Sequence, residues 1–339
     1  MSRSRIVDIA SYLPKQVLHN DDLTKIYPGW SSEKIYQKTG IIERRIAVDD
    51  ETAADLAFKA ARNLFEKNTV TPGDIDFIIL CTQTPDYFLP TTACLLQYRL
   101  GIPNSAGAFD INLGCSGFVY GLSVAKGLIE TGSARRVLFL TADTYSKFIH
   151  PMDKSVRTLF GDGATATLIE ASDETDEEFI GPFVFGTDGN GANNIIVKTG
   201  GFRSARSEDT AKEEVDDSGN VRSQDNLYMN GSEVIAFTLS SVPKAINDLL
   251  KKCGRALDDL DYIVLHQANQ FILDALRKKL NLPEEKFPIF VETCGNTVSS
   301  SIPLTLESML NKSCLKRGNR LLLLGFGVGY SWAATVVKF

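Results

Sequence analysis

Histidine is scarce in this chain. There are three among 339 residues (His19, His150 and His266), and none is closely spaced with a cysteine. The six cysteines (Cys81, Cys94, Cys115, Cys253, Cys294 and Cys314) are scattered, with no C-x-x-C pair. That pattern argues against a zinc site and points to reduced thiols in a cytoplasmic protein. No apolar run approaches the length of a membrane span. The opening MSRSRIVDIASYLP lacks the apolar core of a secretory signal. Positive charge is not in excess: 36 Lys and Arg against 42 Asp and Glu leave a formal charge of −6. This excludes generic adhesion to nucleic acid or an anionic membrane.

What the chain does contain is an alternation of β-branched apolar runs with helix-period segments, the pattern of an α/β fold. DFIILCTQ (76–83), RRVLFLTAD (135–143), DYIVLHQAN (261–269) and NRLLLLGFG (319–327) read as buried strands. The stretches 51–67 and 232–252 read as helices, the second kinked or interrupted at Pro243. An internal repeat follows. TPGDIDFIILCTQTP resembles ALDDLDYIVLHQANQ, and AFDINLGCSGF resembles PIFVETCGNTV, each with a following helix and apolar strand. The repeat predicts two similar halves, 1–172 and 173–339, about a pseudo-twofold axis. Cys81 and His266 then end equivalent strands, while Cys115 and Asn296 occupy equivalent turns. The polar stretch 201–226 reads as an exposed loop or hairpin, with a lid as the minor alternative.

Three side chains carry chemistry in this frame. Cys115, in GCSGF, sits where a strand turns into a helix, so the helix's unpaired N–H groups and positive end favour its thiolate. Cys81, Cys94, Cys253 and Cys314 lack such a setting and read as small packing groups. His266 ends an apolar strand, where ligands collect in open α/β sheets, and its imidazole can donate to a carbonyl oxygen. His19 and His150 have no comparable frame. Asn296, in the turn CGNT, can donate to the same oxygen without a proton equilibrium. The glycine-rich GFGVGYSW (325–332) has no later helix or strand for a dinucleotide fold. It reads instead as a bend bringing the Val328 N–H, with that of Cys115, to a developing oxyanion.

With GCSGF, FGDGA, MNGSEV, HQAN and GNT in this order, the chain resembles the β-ketoacyl synthase III-type condensing enzymes of the thiolase superfamily. The resemblance runs nearly end to end. It implies a five-layered αβαβα fold, a homodimer and a Cys115–His266–Asn296 triad. It also implies a decarboxylative condensation: an acyl thioester acylates Cys115, and a malonyl thioester then loses carbon dioxide and attacks the acyl group. The substrates would be acyl-coenzyme A or acyl-carrier-protein thioesters with malonyl-carrier protein, and no cofactor is implied.

By motif position, the resemblance also places a substrate- and carrier-binding set. Lys34 stands where the type usually has a tryptophan against adenine. Lys38 and Lys154 stand for phosphate-binding arginines, and Phe271 replaces a carrier-docking arginine. Asn269 closes HQAN, and Arg277, Lys278 and Lys279 on the next helix can meet an acidic carrier protein. Leu89 falls at a dimer contact that lines the acyl pocket. These departures leave the acyl donor open between fatty-acid initiation and a specialised pathway. An acyltransferase of the same fold, or a non-catalytic partner subunit, remains as the alternative.

Overall fold

The computed structural model describes residues 2–172 and 177–339. The expected boundary at 172/173 therefore meets a stretch outside the described residues.

Two β-sheets organise the chain. The first orders its strands Arg3–Tyr12, Gly163–Ser172, Arg136–Asp143, Phe77–Cys81 and Gly107–Ile111. The last three run parallel, with Ile79 opposite Phe139 and Phe109 in register. The second orders Tyr262–Leu265, Arg320–Gly327, Ser331–Lys338 and Ile180–Thr187. Its first pair is parallel and the rest antiparallel. Both sheets are covered on both faces, which explains why their strands read as unbroken apolar runs rather than alternating ones.

The hydrophobic clusters reveal the layers. Helices Gly117–Glu130 and Ser301–Asn311 lie between the sheets, with Phe118, Leu122, Ile302 and Leu306 packed against Phe139 and Ile169 on one side and Leu321 and Leu323 on the other. Outside the first sheet, helix Ala53–Glu66 lays five buried alanines on the strands, which lets it pack close. Its first turn is fixed by a capping box between Thr52 and Asp55. Outside the second sheet lie helices Gly231–Cys253 and Gln270–Lys279. The order is helix, sheet, helix, sheet, helix, as the resemblance implies.

Two expectations need correction. Pro243 does not interrupt its helix, which runs unbroken over Gly231–Cys253. A mid-helix proline costs roughly 3 kcal/mol, but Val242, Ala245, Ile246 and Leu249 on either side are buried in the second sheet's cluster and hold the helix together. The repeat is also imperfect. Residues 288–291, the counterpart of strand Gly107–Ile111, form no strand. There the fully buried Gln267 side chain accepts from the Phe290 N–H (2.7 Å) and donates to the Leu265 carbonyl (2.7 Å), doing the work of a ladder.

The 201–226 segment contains a short hairpin, Glu214–Val215 against Val221–Arg222. It is clipped to the molecule by Arg222, whose guanidinium meets Asp153 at 2.6 Å and Asp216 at 2.8 Å.

Candidate active site

Parallel strands deliver their C-terminal ends to one side of a sheet, and here both sheets do so toward a shared cavity of about 260 Å3. Cys115, His266 and Asn296 all line it, 6%, 2% and 5% exposed. Residues far apart in sequence meet because the two halves face each other across the buried helix pair.

Cys115 precedes helix Gly117–Glu130 by two residues. The bend after strand Arg320–Gly327 presses against it: a methyl group on Gly327 would lie 2.9 Å from both Cβ and Sγ of Cys115. Glycine at 327 is therefore a matter of space. The backbone N–H groups of Cys115 and Val328 face the sulfur, and each lowers the thiol's pKa. Burial and the Asp143 carboxyl outweigh them and push it up to about 12. The expected preference for thiolate is thus overturned in the free chain, because desolvation disfavours the charged form more than the helix end favours it. Asp143 is itself wholly buried. It accepts from the Gln83 N–H (2.8 Å) and the Ser299 hydroxyl (2.5 Å), and burial raises its pKa to about 7.

His266 follows strand Tyr262–Leu265, its N–H bonded to the Leu324 carbonyl (2.9 Å). Burial lowers its pKa to about 3, so the ring is neutral. Its Nδ1 lies 2.7 Å from the Ser301 hydroxyl, which also accepts from the Gln267 N–H at 3.3 Å. With that N–H already donating to Ser301, a Ser301 hydroxyl hydrogen on Nδ1 satisfies the network and leaves Nε2–H as the donor into the cavity.

Asn296 sits in a strained turn. Gly295 has φ +71°, and a Cβ there would lie 2.8 Å from the Leu159 carbonyl. Val298, β-branched and fully buried, is held at φ +54°. Such strain persists only where surroundings impose it. Asn296 is pinned through its backbone to Leu159 (2.9 Å) and Gly161 (3.0 Å), and its Oδ1 accepts from the Val298 N–H (2.9 Å). Among the described residues its Nδ2 has no partner, which leaves an oriented amide donor at the cavity.

The predicted substrate- and carrier-binding residues divide into two groups. Lys38, Lys154, Asn269 and Phe271 line the cavity. Asn269 also caps helix Gln270–Lys279 by accepting from the Ile272 N–H (2.9 Å), and Lys154 donates to the Ser218 carbonyl (2.6 Å). Lys34 does not line it. Trp30 does, and the Lys34 ammonium sits 5.0 Å from the Trp30 ring centroid. An aromatic ring thus stands at the mouth four residues before the position that the resemblance marks as lacking one. Lys278 and Lys279 are exposed in the last turn of a helix that begins at the cavity, and Arg277 pairs with Glu284 at 2.8 Å. Leu89 lies outside the cavity, 81% exposed. His19 and His150 face the carboxylates of Glu43 (3.3 Å) and Glu213 (3.0 Å) on the surface.

Sequence reasoning did not single out Ser301, Asp143, Tyr145 or Trp30. The available signals were a serine after GNTVSS, a carboxylate ending an apolar strand, and one of only two tryptophans. Among the described residues, no cluster of three or more His, Cys, Asp or Glu side chains is arranged to hold a metal, and no helix is long and apolar enough to cross a membrane.

Comparison with known proteins gives the family and the fold. Residues 109–189 match the family model for 3-oxoacyl-[acyl-carrier-protein] synthase III, and residues 250–339 match the model for its C-terminal part. A β-ketoacyl-[acyl-carrier-protein] synthase III of Caldanaerobacter subterraneus subsp. tengcongensis is 38% identical over 98% of this chain and 97% of its own length. A crystal structure of a 3-oxoacyl-(acyl-carrier-protein) synthase III superposes with a TM-score of 0.98 at 62% identity, covering 99% of this chain and 100% of that one. The priming β-ketosynthase of a polyketide pathway superposes at 0.86 with 32% identity, covering 99% and 96%.

Proposed function

This chain belongs to the 3-oxoacyl-[acyl-carrier-protein] synthase III family, acyltransferases that condense an acyl thioester with malonyl-carrier protein, and we propose that Cys115, His266 and Asn296 perform that condensation. The observation that carries the assignment is their convergence, with the Val328 N–H, on one cavity.

In the first half-reaction the Cys115 sulfur attacks the acyl thioester carbonyl. The N–H groups of Cys115 and Val328 hold the tetrahedral oxyanion, a preorganised pair in a dry site. Collapse breaks the carbon–sulfur bond to the carrier, and the Cys115 proton ends on the departing thiol. In the second, the malonyl thioester carbonyl lies between His266 Nε2–H and Asn296 Nδ2–H. Loss of carbon dioxide leaves an enolate whose oxygen these two neutral donors stabilise. The enolate carbon attacks the acyl group and expels the Cys115 thiolate, which takes a proton from solvent. The product is a β-ketoacyl thioester. A histidine held neutral well below its ordinary range suits this step, since it donates without itself titrating near neutral pH.

Lys38, Lys154, Asn269 and Phe271 would receive the carrier's arm at the mouth. Trp30 would supply a flat face there, and Lys278 and Lys279 would meet an acidic carrier protein. Acyl-coenzyme A and acyl-carrier-protein donors both fit this arrangement, and no resident cofactor is called for. Tyr87, Phe88 and Leu89, 61%, 77% and 81% exposed, form an apolar run that a second copy of the chain would cover. The functional halves are 1–172, with the nucleophile, and 173–339, with the two donors, and the enzyme works in the cytoplasm.

The test is incubation with a labelled acyl thioester and malonyl-carrier protein. Carbon dioxide and a β-ketoacyl product should form with wild type and not with Cys115→Ala. Acylation of Cys115 with no carbon dioxide would reduce the protein to an acyltransferase that does not condense.

A further inference from the structure

Arg44, in strand Glu43–Ile46, is among the largest fully buried side chains of the molecule, and it carries a charge. Its Nη1 donates to Oδ1 of Asn20 (2.8 Å) and to the Leu18 carbonyl (3.2 Å). Its Nη2 donates to the Thr158 carbonyl (2.9 Å). Among the described residues no carboxylate pairs with it, and its Nε has no partner. Burial pulls its pKa down to about 10, so it stays protonated at neutral pH. An apolar chain of that volume would fill the space without the desolvation penalty of a cation. Filling space does not account for an arginine here.

Two segments of the reaction chamber press against the Arg44 stem. A Cβ on Gly295 would lie 3.1 Å from the Arg44 Cβ, and one on Gly161 would lie 3.3 Å from it. Gly295 immediately precedes Asn296, and residues 158–161 are the template that holds Asn296. The Leu159 carbonyl accepts from the Asn296 N–H (2.9 Å), and the Asn296 carbonyl accepts from the Gly161 N–H (3.0 Å). The carbonyl gripped by the guanidinium is thus one residue before the carbonyl that holds Asn296. The strand bearing Arg44 is tied to both segments, through the Ile42 N–H to the Glu292 carbonyl (2.9 Å) and the Asp162 N–H to the Arg45 carbonyl (2.8 Å). The turn above is strained at Val298, and such strain persists only over a rigid floor.

Resting on the condensing-enzyme reading above, we propose that Arg44 is a positioning residue for the condensation step. By gripping the Thr158 carbonyl it fixes residues 158–161, and through them it aims the Asn296 Nδ2–H at the enolate oxygen. It touches neither substrate nor reacting atom. A planar fork suits this task, because it holds acceptors from two separate segments, 18–20 and 158, in fixed directions at once. The nucleophile does not depend on it. Cys115 and the Val328 N–H are set by the helix start and by the bend at Gly327, to which Arg44 makes no hydrogen bond. Loss of Arg44 is therefore expected to separate the two half-reactions.

The test measures Cys115 acylation by intact mass and carbon dioxide release with malonyl-carrier protein, below the melting temperature of each variant. The acyl donors are acetyl-, butyryl- and octanoyl-coenzyme A and the same groups on holo-acyl-carrier protein. Arg44→Met keeps the bulk of the stem and removes the donors. Its acylation should stay within about threefold of wild type while condensation falls by about 10^2-fold, the effect of misplacing a reacting group by about an ångström. Added to Asn296→Ala, the same substitution should lower condensation by no more than about a further threefold, because no amide is left to aim. Arg44→Lys, which keeps the charge without the fork, should fall between Arg44→Met and wild type. Acylation and condensation that fall together overturn the proposal. So does an equal loss of condensation with and without Asn296, or unchanged condensation in folded Arg44→Met. If Arg44→Met does not fold, Arg44→Lys alone and on Asn296→Ala gives the same readings. No carbon dioxide from wild type with any donor overturns the condensing-enzyme reading itself and the proposal with it.

Discussion

Strand Phe77–Cys81 of the first sheet ends in a thiol locked onto the Leu113 carbonyl (3.0 Å), whereas its counterpart Tyr262–Leu265 runs on into His266, whose ring opens on the cavity. At the equivalent turns the first half offers Cys115 and the second offers Asn296. The frames match, yet in the proposed mechanism the first half uses one of its two positions for chemistry and the second uses both. A nucleophile needs one atom and oxyanion donors at the backbone. An enolate needs two side-chain donors aimed at one oxygen. The comparison also shows what the halves share: burial drives both titratable groups toward neutrality, the thiol up to about 12 and the imidazole down to about 3. Before substrate arrives, the reaction chamber therefore carries no charge on either reactive side chain. The price of forming a thiolate falls at the moment of attack, when an oxyanion and a departing thiol can share it.

The sharpest division between the halves is by reaction step. Cys115→Ala, in the first half, should abolish acylation and with it condensation, a loss of about 10^4-fold or more. His266→Ala and Asn296→Ala, in the second, should each leave Cys115 acylation within a few-fold while condensation falls by about 10^2 to 10^3, the usual cost of one oxyanion donor. Acylation and carbon dioxide release are measured separately on the same samples. If either second-half variant loses acylation as severely as condensation, the halves do not divide the labour.

A smaller effect is expected where the second half touches the first. Gly327→Ala would place a methyl 2.9 Å from the Cys115 sulfur, closer than real contacts allow. Displacing the sulfur or the Val328 N–H by a fraction of an ångström should slow acylation by up to about 10^2-fold. Circular dichroism and acylation rates check this together. An unchanged rate in a folded variant would show that the bend and the sulfur have slack.

Much of this was legible in sequence because it lay in repeats and strand ends. Reactive residue types ending apolar runs, at matching positions of two similar segments, single out Cys115, His266 and Asn296, which the fold brings to one cavity. Depth was not legible. The setting of Cys115 at a helix start predicts an acidic thiol, but nothing local to GCSGF reports how completely the opposing half desolvates it. Trp30 was missed for a similar reason. It reaches the cavity mouth through a turn in which its N–H bonds to the Tyr27 carbonyl (3.2 Å), and no periodic pattern encodes that path. Pro243 shows the converse, a strong local breaker overruled by tertiary packing on both sides of it.

The mildest test concerns Asp143, the buried carboxyl that ties the two halves together by accepting from Gln83 in one and Ser299 in the other. Burial raises its pKa from 3.8 to about 7, while its hydrogen bonds to Ser299 and Gln83 pull the other way. The folded chain thus keeps a proton that the unfolded chain releases. Asp143 costs no stability below about pH 4, and its cost grows as pH rises from about 4 to about 7, approaching about 4 kcal/mol. Asp143→Asn retains an oxygen for the Gln83 N–H and an amide that the Ser299 hydroxyl can accept. It should therefore gain on wild type in thermal stability between pH 5 and pH 8. It should also make Cys115 more acidic, because the carboxyl is the second cause of that thiol's raised pKa. Iodoacetamide alkylation of Cys115, followed by intact mass, should then be faster at pH 8 in the variant. Parallel stability curves for the two proteins from pH 5 to pH 8 would mean that Asp143 is already ionised at pH 5. The tie between the halves would then be a charged one.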